Sequence, residues 1–259
     1  MIFRRAIGWC VAEAYRLAGT RKRRLEELRG KILPIVFHAA KAEEVRSVLA
    51  WLKRAGALEC AELSFDDGWT EFKGALAVLE EFDKRATLFI APGETIRGRV
   101  WTDGTTVPER RALYGLAAAE RYTKLEEWGV ATERHLMTES EVREVARHPL
   151  VRIGNHTWSH LSATSRPLAE VIAEVKRAQA TLVKWCGYAP TDFAYPFGRG
   201  SKELDAAIRA LGLSPHYTRQ GFVTRETRGS ARNMVYEGMT LAENIGRVLA
   251  AWPKVGETL

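Results

Sequence analysis

The sequence predicts an α/β fold, a distorted (β/α) barrel of about seven parallel strands in a single domain, preceded by an N-terminal amphipathic helix. Three observations carry that expectation. Short β-branched or apolar runs alternate with longer stretches of helical periodicity, which is the pattern of parallel βα units. No internal repeat or low-complexity segment interrupts the alternation. At 259 residues, 46% hydrophobic and 27% charged, the chain is long enough to bury a sizeable core.

Residues 1–31 come first, as a basic arm. Phe3, Ile7, Cys10, Val11, Ala14, Leu17 and Ala18 recur at helical spacing. The arm holds nine Lys or Arg against three Glu, so it carries six of the chain's seven net positive charges. The basic character therefore describes the arm, and no nucleic-acid surface is expected over the body. A helix with the basic flank Arg21–Arg24 suits either an anionic membrane surface or packing on its own domain. Glu13 and Arg16 interrupt the apolar run, and no small-x-small site follows it, so a secretory signal is not read here. The expected location is cytoplasmic, peripheral at the inner face of the membrane.

The body, 32–259, supplies the strand-like runs Ile32–Phe37, Ala61–Phe65, Ala86–Ile90, Leu150–Ile153, Asp192–Tyr195 and Ala231–Val235. Helical patterns fall over 41–54, 71–83, 109–128, 139–147, 168–185, 202–211 and 241–251. Thr138 with Glu141, and Thr240 with Glu243, read as capping boxes that open two of these helices. The stretch from Ala91 to about Pro108 reads as a long loop rich in Gly and Arg, a length usual for functional covers. Cys10, Cys60 and Cys186 lie far apart without ligand spacing, which argues against a disulfide framework. No run reaches the roughly 20 apolar residues of a spanning helix.

Chemistry-bearing residues cluster where strand-like runs end, the place at which a barrel builds its site. Leu63-Ser64-Phe65-Asp66-Asp67-Gly68-Trp69 sets two carboxylates at a strand end, before a glycine that lets the chain turn. Alternation along a strand makes the two side chains diverge, so one can bind a cation while the other serves as a base. The same Asp-Asp-Gly is also an ordinary turn. Ile153-Gly154-Asn155-His156-Thr157-Trp158-Ser159-His160 spaces two histidines four apart, which on a helical turn would share one face and one cation. Phe193-Ala194-Tyr195-Pro196-Phe197-Gly198 is an aromatic strand entering a Pro-Gly turn.

In this order the three segments resemble the polysaccharide deacetylases, the NodB-type enzymes of carbohydrate esterase family 4. The family's Ser/Thr-Phe-Asp-Asp-Gly and His-Ser/Thr-x-x-His motifs match at every chemical position, and Ala86-Thr87-Leu88-Phe89-Ile90 is similar to a family strand. The likeness covers about residues 32–250. It implies Asp67, His156 and His160 as ligands of a divalent ion, zinc first, with cobalt or nickel as alternatives. It further implies Asp66 as catalytic base and the backbone N–H near Phe197 as an oxyanion donor.

Two departures accompany the match. Ala194 stands where the family often carries an arginine that orients the base, with Arg232 as a substitute partner. The family's late Leu-x-His motif, the source of the general acid, is absent. A branch with permuted motif order delivers that acid from the first strand, and Phe37-His38 fits it, with His216 in reserve. Trp69, Trp101, Trp158, Tyr195 and Pro196 are candidates to line the sugar site. The resemblance thus implies hydrolysis of an N-acetyl group on a polysaccharide or lipid-linked sugar. The alternative is a catalytically inactive carbohydrate-binding protein on the same fold, and a deformylase or amidase would share the chemistry.

Overall fold

A computed structural model describes residues 31–130, 133, 135–218, 223–224, 226–236 and 239–250. The expected arm at 1–31, with Cys10, lies outside these residues except for Lys31. The elements in chain order are β1 (Leu33–Phe37), α1 (Ala42–Ala55), β2 (Ala61–Asp66), α2 (Phe72–Glu81), β3 (Ala86–Ile90), α3 (Pro92–Arg97) and α4 (Val107–Leu113). Then follow α5 (Ala118–Glu127), α6 (Glu139–Val145), β4 (Val151–Asn155), α7 (Leu168–Cys186), β5 (Asp192–Ala194), α8 (Lys202–Ala210), β6 (Ser214–His216), β7 (Asn233–Met234) and α9 (Leu241–Ala250). The strands form one sheet in the order β6-β5-β4-β3-β2-β1-β7, the α/β architecture that the alternation predicts. No helix among the described residues is long and apolar enough to cross a membrane.

The chain divides into two compact units. The first runs through Ser64, resumes over Glu71–Ala86 and again from Thr218; the second holds Phe65–Thr70 and Thr87–Tyr217. In the first, every residue of β1 is buried, as in a strand covered on both faces. Beside it β7 pairs in parallel, Ile35 opposite Asn233. Helix α1 buries Val45, Val48, Leu49 and Leu52, an i, i+3, i+4, i+7 stripe, and stops at Gly56 in the left-handed conformation. Each such aliphatic side chain contributes roughly 1.5–3 kcal/mol of burial free energy.

In the second unit β4, β5 and β6 pair in parallel, with Asn155 opposite Phe193 and Ala194 opposite His216. The long helix α7 buries Val171, Val175, Ala178, Leu182 and Trp185. Both capping boxes form: the Thr138 N–H donates to Glu141 at 2.8 Å, and the Thr240 N–H to Glu243 at 2.8 Å.

Three expectations need correction. The stretch 91–108 is not a bare loop, because Pro92 starts α3 from its first turn, where a missing N–H costs nothing. The pattern 109–128 is two helices, α4 and α5, parted at Gly115 and restarted where Glu120 accepts the Ala117 N–H at 2.8 Å. Strand β6 escaped notice, since Ser-Pro-His offers three residues and a proline; at the sheet edge that proline is tolerated.

Candidate active site

All three motifs emerge at C-terminal strand ends, and the chain is strained there. Among the described residues, five without a glycine's freedom adopt positive φ: Asp67, Asp83, Thr157, His160 and Phe197. Four of the five belong to the motifs. Each costs of order 1–3 kcal/mol and persists only where surrounding contacts enforce it.

At the end of β2 the left-handed Asp67 (φ 74°) and Gly68 (φ 84°) turn the chain sharply. A Cβ on residue 68 would stand 2.5 Å from Ile90 Cδ1, and at that left-handed φ any side chain would be strained. The exit is fastened by the Met137 N–H, which donates to the Gly68 carbonyl at 2.9 Å, and by the Trp69–Leu136 bridge. At the end of β4, a Cβ on Gly154 would come within 2.4 Å of the Phe89 ring. Asn155 is wholly buried, donating to the Val175 carbonyl and Gln179 and accepting from the Thr157 N–H, each at 3.0 Å. The segment 156–160 is therefore a pinned loop and not the helical turn that the spacing suggested.

These turns bring Asp67, His156 and His160 together, all buried, with their ligand atoms within 4.8 Å of one another. Asp67 Oδ1 lies 3.4 Å from His156 Nε2 and 3.2 Å from His160 Nε2. Tetrahedral zinc with bonds of about 2.0–2.1 Å needs ligand–ligand separations of roughly 3.3 Å, so the residues fit such an ion. The supporting contacts agree. His156 Nδ1 sits 2.8 Å from the Ala194 carbonyl and can donate to it, which orients the ring and leaves Nε2 as the nitrogen turned toward Asp67. The Trp69 indole N–H donates to Asp67 Oδ2 at 3.3 Å, while Oδ1 faces the imidazoles.

Burial shapes the electrostatics. For His156, burial pulls the pKa down, but the Asp67 hydrogen bond and the Asp66 and Asp67 charges outweigh it and leave it raised. For His160, burial wins over Asp67 and lowers the pKa, which keeps that imidazole neutral and ready to ligate. Asp66 closes β2, buried beside Asp67, and its charge reaches His156.

Phe197 takes φ 61° in the turn after β5 and sets its ring 4.9 Å from that of His160. Other expected residues scatter. His38 follows β1, half-buried, in the first unit. Arg232 is buried there too, donating to Ser64 Oγ at 3.2 Å. His216 Nε2 lies 2.8 Å from Asp192 Oδ1, inside the β5–β6 pair. Trp69 and Trp158 are half-buried, and the Arg177 guanidinium lies 3.8 Å from the centre of the Trp158 ring. Trp101 and Tyr195 cannot meet a ligand: both are 0% exposed, and the Tyr195 hydroxyl is spent on Asp205 at 3.0 Å. Pro196 is buried as well. The corrections for these three share a cause, since aromatic strand and turn residues served the core.

Sequence reasoning missed what holds the histidines. Ser159 donates through both N–H and O–H to Glu174, at 2.8 and 2.9 Å, and the His160 carbonyl accepts from Trp101. Only Asn155, by its place before His156, carried a signal.

A family model described as polysaccharide deacetylase matches residues 53–216. No curated protein sequence matches the chain. Among solved structures, the chain is similar to the Streptococcus pyogenes deacetylase PplD in complex with acetate, at 18% identity and a TM-score of 0.59, covering 86% of this chain and 99% of that one. It is also similar to IcaB from Ammonifex degensii, at 19% identity and TM-score 0.58, over 84% and 95% of the two chains. A de-N-acetylase from Aggregatibacter actinomycetemcomitans aligns at 14% identity and TM-score 0.58, over 84% and 99%. At such identities the likeness concerns the fold.

Proposed function

The chain belongs to the polysaccharide deacetylase family, and on that premise we propose that it is a metal-dependent hydrolase removing N-acetyl groups from a sugar of a polysaccharide or glycolipid. The observation that supports this most is the buried meeting of Asp67, His156 and His160. In this reading Asp67 Oδ1 and the two Nε2 atoms hold a divalent ion, zinc by their donor set. Bound there, the ion supplies an acidified water, its pKa near roughly 7, and draws charge from a carbonyl oxygen.

The chain's own residues do the rest. Asp66 takes the proton released as water attacks the acetamide carbon. The Phe197 N–H, presented by its left-handed turn, donates to the carbonyl oxygen as that oxygen gains charge. His38 protonates the departing nitrogen, the C–N bond breaks, and acetate and a free amino sugar leave. Trp69 and Trp158 offer ring faces to the sugar.

Zinc titration of metal-free protein tests the ligand assignment: one equivalent per chain is expected for wild type and none at the same affinity for Asp67→Ala or His156→Ala. Binding retained in both variants overturns the assignment. His38→Ala should keep its zinc and lose about 10²–10⁴ in turnover; an intact rate removes His38 from the mechanism. Tight zinc with no acetate release from any N-acetylated glycan would favour the non-catalytic carbohydrate-binding reading.

A further inference from the structure

His160 is held at more than its imidazole. Its backbone carbonyl accepts the Trp101 indole N–H at 2.8 Å, and the two rings meet edge-on at 6.5 Å. The preceding residue is held in the same way: Arg121 donates from one nitrogen to both the carbonyl and hydroxyl of Ser159, at 2.7 and 2.9 Å. Trp101 and Arg121 are themselves one unit, with the guanidinium 5.0 Å from the centre of the indole.

Behind them lies a carboxylate that the chemistry does not use. Glu94, on α3, is 0% exposed, and its Oε2 accepts both the Trp101 backbone N–H, at 2.9 Å, and the Tyr122 hydroxyl. Burial is the largest influence on this carboxyl and raises its pKa to about 7, against the opposing pull of Tyr122, Arg121, Trp101 and Arg97. A buried carboxylate and guanidinium are rarely the most stable way to fill a core, and apolar side chains of like volume often do better. Here the contacts converge on two consecutive carbonyls, those of Ser159 and His160. Convergence on the ligand loop, and not on the core at large, separates this arrangement from ordinary packing.

His160 needs such a hold. Its φ of 48° is unfavourable for any residue with a Cβ. Among the described residues its Nδ1 has no hydrogen-bond partner, whereas His156 is fixed through Nδ1 by Ala194. The backbone must therefore do for His160 what a ring contact does for His156.

We propose that Trp101, anchored by Glu94 and Tyr122, is a positioning residue that fixes the His160 imidazole against Asp67 for cation binding. The proposal rests on the metal-dependent reading above. Loss of an outer contact of this kind typically weakens metal affinity about 10–100-fold. Trp101→Phe keeps an aromatic ring and removes only the indole N–H and its ring atoms. Tyr122→Phe is the milder companion, taking one hydroxyl from Glu94 on a half-buried side chain.

Zinc affinity is measured by competition with a chromophoric chelator, beside the visible spectrum of the cobalt form and the melting temperature without metal. Trp101→Phe should bind zinc about 10–100-fold more weakly and shift the cobalt spectrum, and Tyr122→Phe should weaken zinc by a smaller factor. A merely structural role would lower the melting temperature and leave zinc affinity unchanged, and that result overturns the proposal. Should the Trp101 variant not fold, unchanged affinity in Tyr122→Phe overturns it equally. Wild type that binds no zinc at all removes the metal-dependent reading itself, and the positioning role with it.

Discussion

A carboxyl group as deeply buried as that of Glu94 holds its proton to far higher pH than one in water, because ionisation there forfeits hydration. Its pKa stands at about 7 in the folded chain against an ordinary 4.5. Below the lower value both folded and unfolded chains carry the proton, and ionisation costs the fold nothing. As pH rises from about 4.5 to about 7 the unfolded chain ionises first, so stability drains across that window. Glu94→Gln keeps the acceptor for Trp101 and Tyr122 and cannot ionise. Thermal melts at pH 5 and pH 8 should show the Gln variant gaining several degrees on wild type at the higher pH. An equal difference at both would contradict the account of burial. At this scale the buried group of Asp67, His156 and His160, with Asp66 beside it, was legible, because all four sit in contiguous motifs. Those that steady them were not. Trp101 reaches His160 across 59 positions, through a backbone carbonyl that no motif records.

Elements were legible where one period governs a run. Strand β3 spans the apolar run Ala86–Ile90 without adjustment, and α1 and α7 follow their buried stripes. Competing signals hid the rest: a proline that starts α3 looks like a breaker, and Gly115 parts two helices whose periods nearly continue. The histidine loop taught the same lesson, since a four-residue spacing is helical only if the backbone is, and Thr157 at φ 63° is not. The entry to that loop depends on close contact between β3 and β4 at Gly154, where a Cβ would stand 2.4 Å from the Phe89 ring. Gly154→Ala should therefore cost about 1–3 kcal/mol in a urea unfolding experiment and weaken zinc binding. Unchanged stability would show that the Phe89 ring yields freely and that the contact does not set the loop.

Over the whole molecule, the alternation of runs was enough for the α/β class, because parallel strands buried on both faces read as continuous apolar segments. The division into two compact units has no compositional mark, since it follows from which strands and helices pack together. Asp66, Asp67, His156, His160 and Phe197 all fall in the unit that holds Thr87–Tyr217, and His38 belongs to the other unit. The central claim is that these groups hydrolyse an acetamide with Asp66 as base. It is tested most directly by the acetate released from N-acetylglucosamine oligomers and other N-acetylated glycans, comparing zinc-loaded wild type with zinc-loaded Asp66→Asn. The account predicts release by wild type and a fall of about 10²–10⁴ in the variant, with zinc still bound. Equal release by the two proteins, or release that persists after the metal is stripped, would contradict it.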